Sequence, residues 1–204
     1  MKKILAVLIL SFLYATPSFA IFDLGLVGGI SQMSEPTTSS ISGTNYNVTA
    51  NAGKSYGVMA QFHSAFGLGL SLGALYAEVD YNQLITLGSS TLSNGGALVP
   101  YYQFLVMANY WFGGILAFGV GGYYAVPGGN VSSGGTSGSF ASENIKSDDY
   151  GLLGDLQIRI PLGLVTYLSA TALYEYGLEN VSTVALLTSH NQGFIFLAGL
   201  GIGF

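Results

Sequence analysis

The 204-residue chain is half apolar, yet only 7% of its residues are charged, whereas about a quarter are charged in an ordinary soluble domain. A protein with so few surface charges would tend to self-associate in water. We therefore expect part of its surface to face something other than water. The length suits one domain. The absence of cysteine excludes disulfides, thiolate catalysis and thiolate-bound metal.

The first twenty residues have the pattern of a secretory signal peptide. Lys2 and Lys3 form a basic start, an apolar run covers 4–14, and Ser18 and Ala20 place small residues at the −3 and −1 positions of a cleavage site. We expect residues 1–20 to be removed and residues 21–204 to form one domain. A membrane-anchoring helix is the alternative, but it needs about 20 apolar residues.

The mature part of the chain is acidic. Beyond residue 20 it keeps three basic side chains, Lys54, Lys146 and Arg159, against ten carboxylates, which gives a formal net charge of −7. An acidic chain without a basic cluster argues against nucleic acid as a partner. No stretch of this part has the 18 uninterrupted apolar residues of a membrane-spanning helix.

Eight segments alternate between apolar and small or polar residues, which predicts β-strands. A tilted strand that crosses a membrane needs roughly 9–11 residues, and each segment is long enough. In chain order the predicted strands are Phe22–Gln32, Ser55–Phe66, Leu68–Tyr81, Val99–Phe112, Ile115–Val126, Asp148–Ile160, Leu164–Tyr176 and Asn191–Phe204.

The connections between these strands alternate in length. Three are very short, at Gly67, at Gly113-Gly114 and at 161–163; the other four are long, at 33–54, 82–98, 127–147 and 177–190. Short turns at one rim and long loops at the other are typical of an outer-membrane β-barrel. An even strand number places both termini at the rim with the short turns, so we expect periplasmic termini and extracellular loops.

The two faces of each strand differ in polarity. In the sixth strand Leu152, Leu156 and Ile158 share one face, whereas Asp155 and Arg159 share the other. The apolar face is expected to meet lipid, and the small or polar face a narrow lumen. A sheet in hydrocarbon must also close, because the backbone groups of an open edge cannot be hydrated there. A soluble secreted sandwich remains the alternative fold.

Aromatic residues near the strand ends are expected to form two interfacial girdles. They are Tyr101, Tyr110, Phe112, Tyr123, Tyr124, Tyr174 and Tyr176.

Polar residues on the inward face are predicted to form a network in the lumen. A buried charge is tolerated when it is paired and hydrogen-bonded, so Arg159 is expected to pair with Asp23 or Asp155 and to help plug the lumen. The predicted members are Asp23, Gln61, His63, Gln103, Asn109, Asp155, Gln157, Arg159 and Glu175.

Residues that could carry chemistry are few. His63 and Ser64 are adjacent in a strand and therefore point to opposite faces, so they cannot act as base and nucleophile. Ser31, Ser55 or Ser71 could share the lumen with His63, and His190 is expected at the loop rim. Glu78, Asp80, Asp148 and Asp149 are expected to form a solvated acidic rim, with binding of a hard cation such as Ca²⁺ as the alternative. We therefore predict no catalytic, cofactor or metal site.

The signal-peptide pattern, the eight strands and the final Gly-Phe-Ile-Phe-Leu-Ala-Gly-Leu-Gly-Ile-Gly-Phe resemble the small outer-membrane barrels of the OmpA/OmpX type, in the barrel-only form. The resemblance implies partners: outer-membrane lipids and lipopolysaccharide, and the outer-membrane assembly machinery. In that group the last strand is the assembly signal. Here it would comprise Phe194, Phe196, Leu200, Ile202 and Phe204.

Three functions remain open from the sequence. An eight-stranded lumen is just wide enough to be filled by side chains, which favours a structural or surface-interaction role through the loops. Ten glycines on the inner faces could instead leave a cavity, as in a narrow pore or a carrier of small apolar molecules. A lipid-modifying enzyme is the third class.

Overall fold

The computed structural model describes residues 21–34, 37–39, 44–87, 89–184 and 187–203. The predicted signal peptide and Phe204 lie outside these residues. The strands within them are β1 Ile21–Ser34, β2 Thr37–Ser39, β3 Thr44–Ala50, β4 Gly53–His63, β5 Leu68–Leu87, β6 Ser90–Phe112, β7 Leu116–Pro127, β8 Val131–Ser133, β9 Thr136–Gly138, β10 Asp149–Pro161, β11 Thr166–Gly177, β12 Leu187–Ser189 and β13 Gln192–Gly203.

Eight long strands close into one antiparallel barrel. Each pairs with the next in the ring β1-β4-β5-β6-β7-β10-β11-β13, and β13 pairs back to β1 with Leu26 opposite Leu200. Closure leaves none of the eight with an unpaired edge, which suits a sheet in hydrocarbon. The predicted all-β, eight-stranded, up-and-down barrel is confirmed. None of the described residues forms a helix long and apolar enough to cross a membrane.

The short turns gather at one end of the barrel, here called the turn end. Gly67, Gly113 and Gly114 have positive φ angles of 86°, 59° and 71°, which glycine adopts without strain. At Gly67 the space is also restricted, because a Cβ would lie 2.4 Å from the carbonyl oxygen of Trp111. The opposite end, with the long connections, is the loop end.

The loop end contains more β-structure than the sequence predicts. β5 and β6 continue as paired strands over 82–87 and 90–98, as far as Leu87 opposite Ser90. β3 lies against β5, β8 against β6, and β12 against β2. The prediction of a loop at 82–98 was wrong because the apolar residues there, such as Leu84, Ile85 and Leu87, do not alternate regularly with polar ones. The backbone pairing of β5 with β6 does not depend on such alternation.

Side chains alternate between the two surfaces of the barrel wall as expected. Large apolar side chains cover the outside, among them Leu26, Phe104 and Val120. Inside, buried apolar side chains such as Leu75, Leu105 and Leu173 form a core that continues into Phe140 and Ile145 of the connection after β9. The interior is therefore packed by side chains and capped by a connection at the loop end.

The inner glycines leave less space than expected, because neighbouring side chains occupy it. A Cβ on Gly201 would lie 2.2 Å from the ring of Tyr167, and a Cβ on Gly73 would lie 3.1 Å from the side chain of Leu105. These glycines let large residues fold across the lumen.

Candidate functional site

Arg159 is the centre of a polar cluster in the half of the lumen near the turn end. Its Nη1 donates to Asp23 Oδ2 at 2.7 Å, and its Nη2 donates to Gln61 Oε1 at 2.6 Å. The guanidinium carbon lies 4.3 Å from the ring centre of Trp111 and 4.0 Å from that of Tyr167, within the range of cation–π attraction. The charge is thus paired, hydrogen-bonded and covered by two rings.

His63 joins the same cluster through Asp23. Its Nε2 lies 3.0 Å from Asp23 Oδ2, the oxygen that also accepts from Arg159. The Ser31 hydroxyl donates to the carbonyl of Glu78, and the Ser71 hydroxyl donates to Asn109 Oδ1 at 2.6 Å. Neither hydroxyl is directed at the imidazole of His63, so these contacts do not form a base–nucleophile pair.

A chain of hydrogen bonds carries the cluster across the lumen. Gln61 Nε2 donates to Gln157 Oε1 at 2.6 Å, and Gln157 Nε2 donates to Asp155 Oδ2 at 2.6 Å. From the other side Asn109 Nδ2 donates to both Asp155 oxygens, at 3.0 and 3.1 Å. We call this set the turn-half network; its members are Asp23, Gln61, His63, Ser71, Asn109, Asp155, Gln157 and Arg159.

Strand alternation places these side chains in the lumen, and the closure of the barrel brings them together. The bond between Gln61 and Gln157 joins β4 and β10, which are four strands apart in the ring of eight and therefore face each other. This direct hydrogen bond therefore spans the full diameter of the lumen at that level.

Two predicted members, Gln103 and Glu175, lie elsewhere. Gln103 Nε2 donates to Glu175 Oε2 at 3.0 Å in the half of the lumen near the loop end. Within the described residues, no hydrogen bond joins either of them to the turn-half network; both lie with Tyr123, Asp149 and Asn191 instead.

Sequence reasoning missed these three partners. Tyr123 was predicted in a girdle and Asp149 at a solvated rim, but the side chain of Tyr123 is buried and Asp149 is 1% exposed. Tyr101, also predicted in a girdle, is buried in the lumen. Strand alternation could have predicted this. Asp149 and Asp155 are an even number of residues apart, as are Tyr123 and Gly121, so each pair shares one face of its strand, and that face is inward.

The loop end contains a shallow cavity of about 240 Å³. It lies between the β5–β6 hairpin and the connections before β10 and β13, and Tyr81, Gln83, Ile145 and Ser189 are among its lining residues. Its polar and apolar lining could accept a small amphipathic molecule.

The same two connections are held together at the surface. Ile145 bridges Ser182, and Lys146 forms an ion pair with Glu179. The hydrogen bond from Lys146 lowers the pKa of Glu179 below its ordinary value. His190, predicted at this rim, lies with Nδ1 2.8 Å from the carbonyl oxygen of Glu179. In the described part of the chain, no three His, Asp or Glu side chains are grouped as metal ligands.

The residues predicted as an assembly signal lie on the outer surface of β13. Phe194, Phe196, Leu200 and Ile202 are all exposed, and Phe194 also contacts Tyr174 of β11, with ring centres 4.9 Å apart. The fifth predicted residue, Phe204, is outside the described residues.

Comparison with solved structures adds to this geometry. The outer membrane protein OprG from Pseudomonas aeruginosa superposes with a TM-score of 0.51 at 15% identity, over 93% of this chain and 98% of that one. The fold is that of a small outer-membrane β-barrel. AlkL (TM-score 0.48, 11% identity, 93% and 92% covered) and Ail of Yersinia pestis (0.44, 11%, 91% and 99%) are also similar. No family model matches the chain, and neither does any curated protein.

Proposed function

We propose that this chain is an integral outer-membrane barrel with a closed lumen, which serves a structural or surface-interaction role through its loop end. The observation that carries the proposal is the hydrogen bond between Gln61 and Gln157 across the full width of the barrel. A conducting pore or a through-carrier would need that level to be open.

The outer surface supports residence in a membrane. Leu26, Val106, Val120 and Leu200 are each more than half exposed, and they belong to a continuous series of apolar side chains around the wall. Exposed apolar area of this extent is unfavourable in water and favourable in lipid. Outer-membrane lipids and lipopolysaccharide are thus the proposed surroundings, and β13 the proposed contact with the assembly machinery.

The loop end supports an interaction role. The β5–β6 hairpin extends beyond the lumen, and buried Val131, Phe140 and Val181 anchor the connections beside it. Anchored connections present a surface of defined shape, which lowers the entropy cost of binding a partner. In the proposed orientation this surface is extracellular and the termini are periplasmic.

Planar-bilayer recording tests the closed lumen. We expect the purified barrel to insert without stable conductance steps, because the turn-half network spans the lumen. Insertion is checked in parallel by the shift in gel mobility between unheated and heated samples. Reproducible single-channel steps from the unaltered barrel would refute the proposal and support a narrow pore.

Trypsin added to intact cells tests the orientation. Lys146 lies on a loop-end connection with a 40% exposed side chain, whereas Lys54 is paired within the sheet and Arg159 is buried. We expect cleavage between Lys146 and Ser147 in intact cells, and none in Lys146→Gln. Cleavage that appears only after the outer membrane is permeabilised would place the loop end in the periplasm.

A carrier of small molecules is the second candidate, because the loop-end cavity of about 240 Å³ could receive one. Uptake of a small apolar solute by liposomes that contain the barrel, above that of empty liposomes, would favour it. An enzymatic role is not proposed, because the hydrogen-bond partner of His63 within the described residues is Asp23, whereas a hydrolase would need a serine there.

A further inference from the structure

The half of the lumen near the loop end contains a second polar cluster with a different balance of groups. It consists of Gln103, Tyr123, Asp149, Glu175 and Asn191, and we call it the loop-half cluster. The exposed fractions of these side chains range from 0% for Glu175 to 4% for Tyr123, so water outside the barrel does not solvate them.

Strand register brings these residues to one place. Gln103 of β6 and Asp149 of β10 both pair with Ala125 of β7, one on each side. Asn191 lies directly before β13, and its carbonyl oxygen accepts from the amide of Gly177 at 2.7 Å. Glu175 of β11 lies two residues before Gly177, on the same inward face.

Two glycines make room for the tyrosine that lies in this cluster. A Cβ on Gly151 would lie 2.7 Å from the ring of Tyr123, and a Cβ on Gly177 would lie 3.2 Å from its hydroxyl oxygen. The Tyr123 side chain therefore crosses β10 towards β11, and its hydroxyl donates to Asp149 Oδ2 at 2.8 Å.

Two carboxylate oxygens accept the hydrogen bonds within the cluster. Asp149 Oδ2 accepts from Tyr123 and from Asn191 Nδ2, the latter at 2.9 Å, and Glu175 Oε2 accepts from Gln103 Nε2 at 3.0 Å. Four buried oxygens receive no hydrogen bond from the part of the chain that the structure describes: Gln103 Oε1, Asp149 Oδ1, Glu175 Oε1 and Asn191 Oδ1. Each of these four atoms is thus a buried acceptor without a donor.

No cationic side chain in the described ranges compensates the two carboxylates. Arg159 is bound to Asp23 near the turn end, Lys146 is paired with Glu179 at the surface, and Lys54 is exposed. The two histidines are also engaged elsewhere, His63 with Asp23 and His190 with the carbonyl of Glu179. Buried carboxylates without a counter-charge are strongly unfavourable.

We propose that the loop-half cluster binds a hard divalent cation of the size of Ca²⁺. All four available ligand atoms are oxygens, two from carboxylates and two from amides, which is the donor set that Ca²⁺ prefers. The two carboxylates balance its charge, and the six to eight ligands that Ca²⁺ takes leave places for water. Mg²⁺ requires near-ideal octahedral geometry and loses its water reluctantly, so it should bind less tightly.

The test uses the full barrel, refolded in detergent free of lipopolysaccharide, with CaCl₂, MgCl₂ or EDTA. We expect Ca²⁺ to raise the melting temperature above its value in EDTA, and calorimetric titration to give about one Ca²⁺ per barrel. Glu175→Gln and Asp149→Asn should each weaken Ca²⁺ binding on the order of tenfold or more. Glu179→Gln, which changes a carboxylate at the same end but outside the lumen, should bind Ca²⁺ as the unaltered barrel does.

Two results would overturn the proposal. One is an unaltered barrel that melts at the same temperature in Ca²⁺ and in EDTA and shows no heat of binding; a bound proton would then be the counter-charge. The other is a Ca²⁺ response that persists in both lumen variants, which would place the ion elsewhere. The titration of the unaltered barrel does not depend on how the variants fold.

Discussion

The Arg159→Ala barrel is expected to lose about 3–5 kcal/mol of the free energy of unfolding and to conduct ions where the unaltered barrel does not. The substitution removes the guanidinium that donates to Asp23 at 2.7 Å and to Gln61 at 2.6 Å. The rings of Trp111 and Tyr167 lose the cation beside them. A buried carboxylate is left without its main counter-charge, and this accounts for most of the loss. Gln61 also loses the donor that holds its amide in place, so we expect its bond to Gln157 across the lumen to weaken and to let ions pass.

Urea unfolding in detergent and planar-bilayer recording are the measurements. The matched control is the pair Asp23→Asn with Arg159→Met, which removes both charges together and keeps most of the side-chain volume. Because no charge is then left unpaired, we expect this double variant to be more stable than Arg159→Ala. An Arg159→Ala barrel that is as stable as the unaltered one and still silent would show that the turn-half network does not plug the lumen.

The second large effect is expected from Gly121→Ala. A Cβ at this position would lie 2.0 Å from the carbonyl oxygen of Val106 and 2.7 Å from the Cα of Met107. Both are backbone atoms of β6, so a side-chain rotation cannot relieve the clash and the two strands must shift. We expect a loss of about 1–3 kcal/mol, as for overpacked cores.

Gly154→Ala is the control for this prediction. Gly154 lies on β10 opposite Val120, one residue from Gly121 on the paired strand, and its Cβ would meet nothing within 4 Å. The free energy of unfolding of the Gly154→Ala barrel should differ from that of the unaltered barrel by less than about 0.5 kcal/mol, as for unconstrained surface positions. Equal losses in the two variants, measured by urea unfolding and by gel mobility after heating, would contradict the packed wall described above.

Several properties of this protein could be predicted from its sequence because they depend on local periodicity. The side-chain period of a strand is two, so Asp155, Gln157 and Arg159 had to share a face opposite to Leu156 and Ile158. Alternating short and long connections then predicted the number of strands and their up-and-down order. The short turns depend on the positive φ angles that glycine adopts at Gly67 and Gly113, and these glycines are visible in the sequence.

The identity of the contacts inside the lumen could not be predicted in this way. Asp23 and Arg159 are 136 residues apart, and Gln61 and Gln157 are 96 apart. The meeting of such pairs depends on the stagger between strands when the sheet closes, and a period of two carries no information about stagger. The sequence could therefore propose Asp23 or Asp155 as the partner of Arg159, and the tertiary structure selects Asp23.

The same distinction applies to the loop end and to the second cluster. The sequence alone determined that the chain forms an eight-stranded barrel with an apolar exterior and a polar interior, since these follow from alternation and turn chemistry. Only the tertiary structure separated the polar interior into two clusters, because stagger and glycine contacts direct Tyr123 and Asp149 towards Glu175 and away from Arg159. The tertiary structure also showed that β5 and β6 continue over 82–87 and 90–98. There the pairing between the two strands holds them in place, without one face against lipid and the other against the lumen.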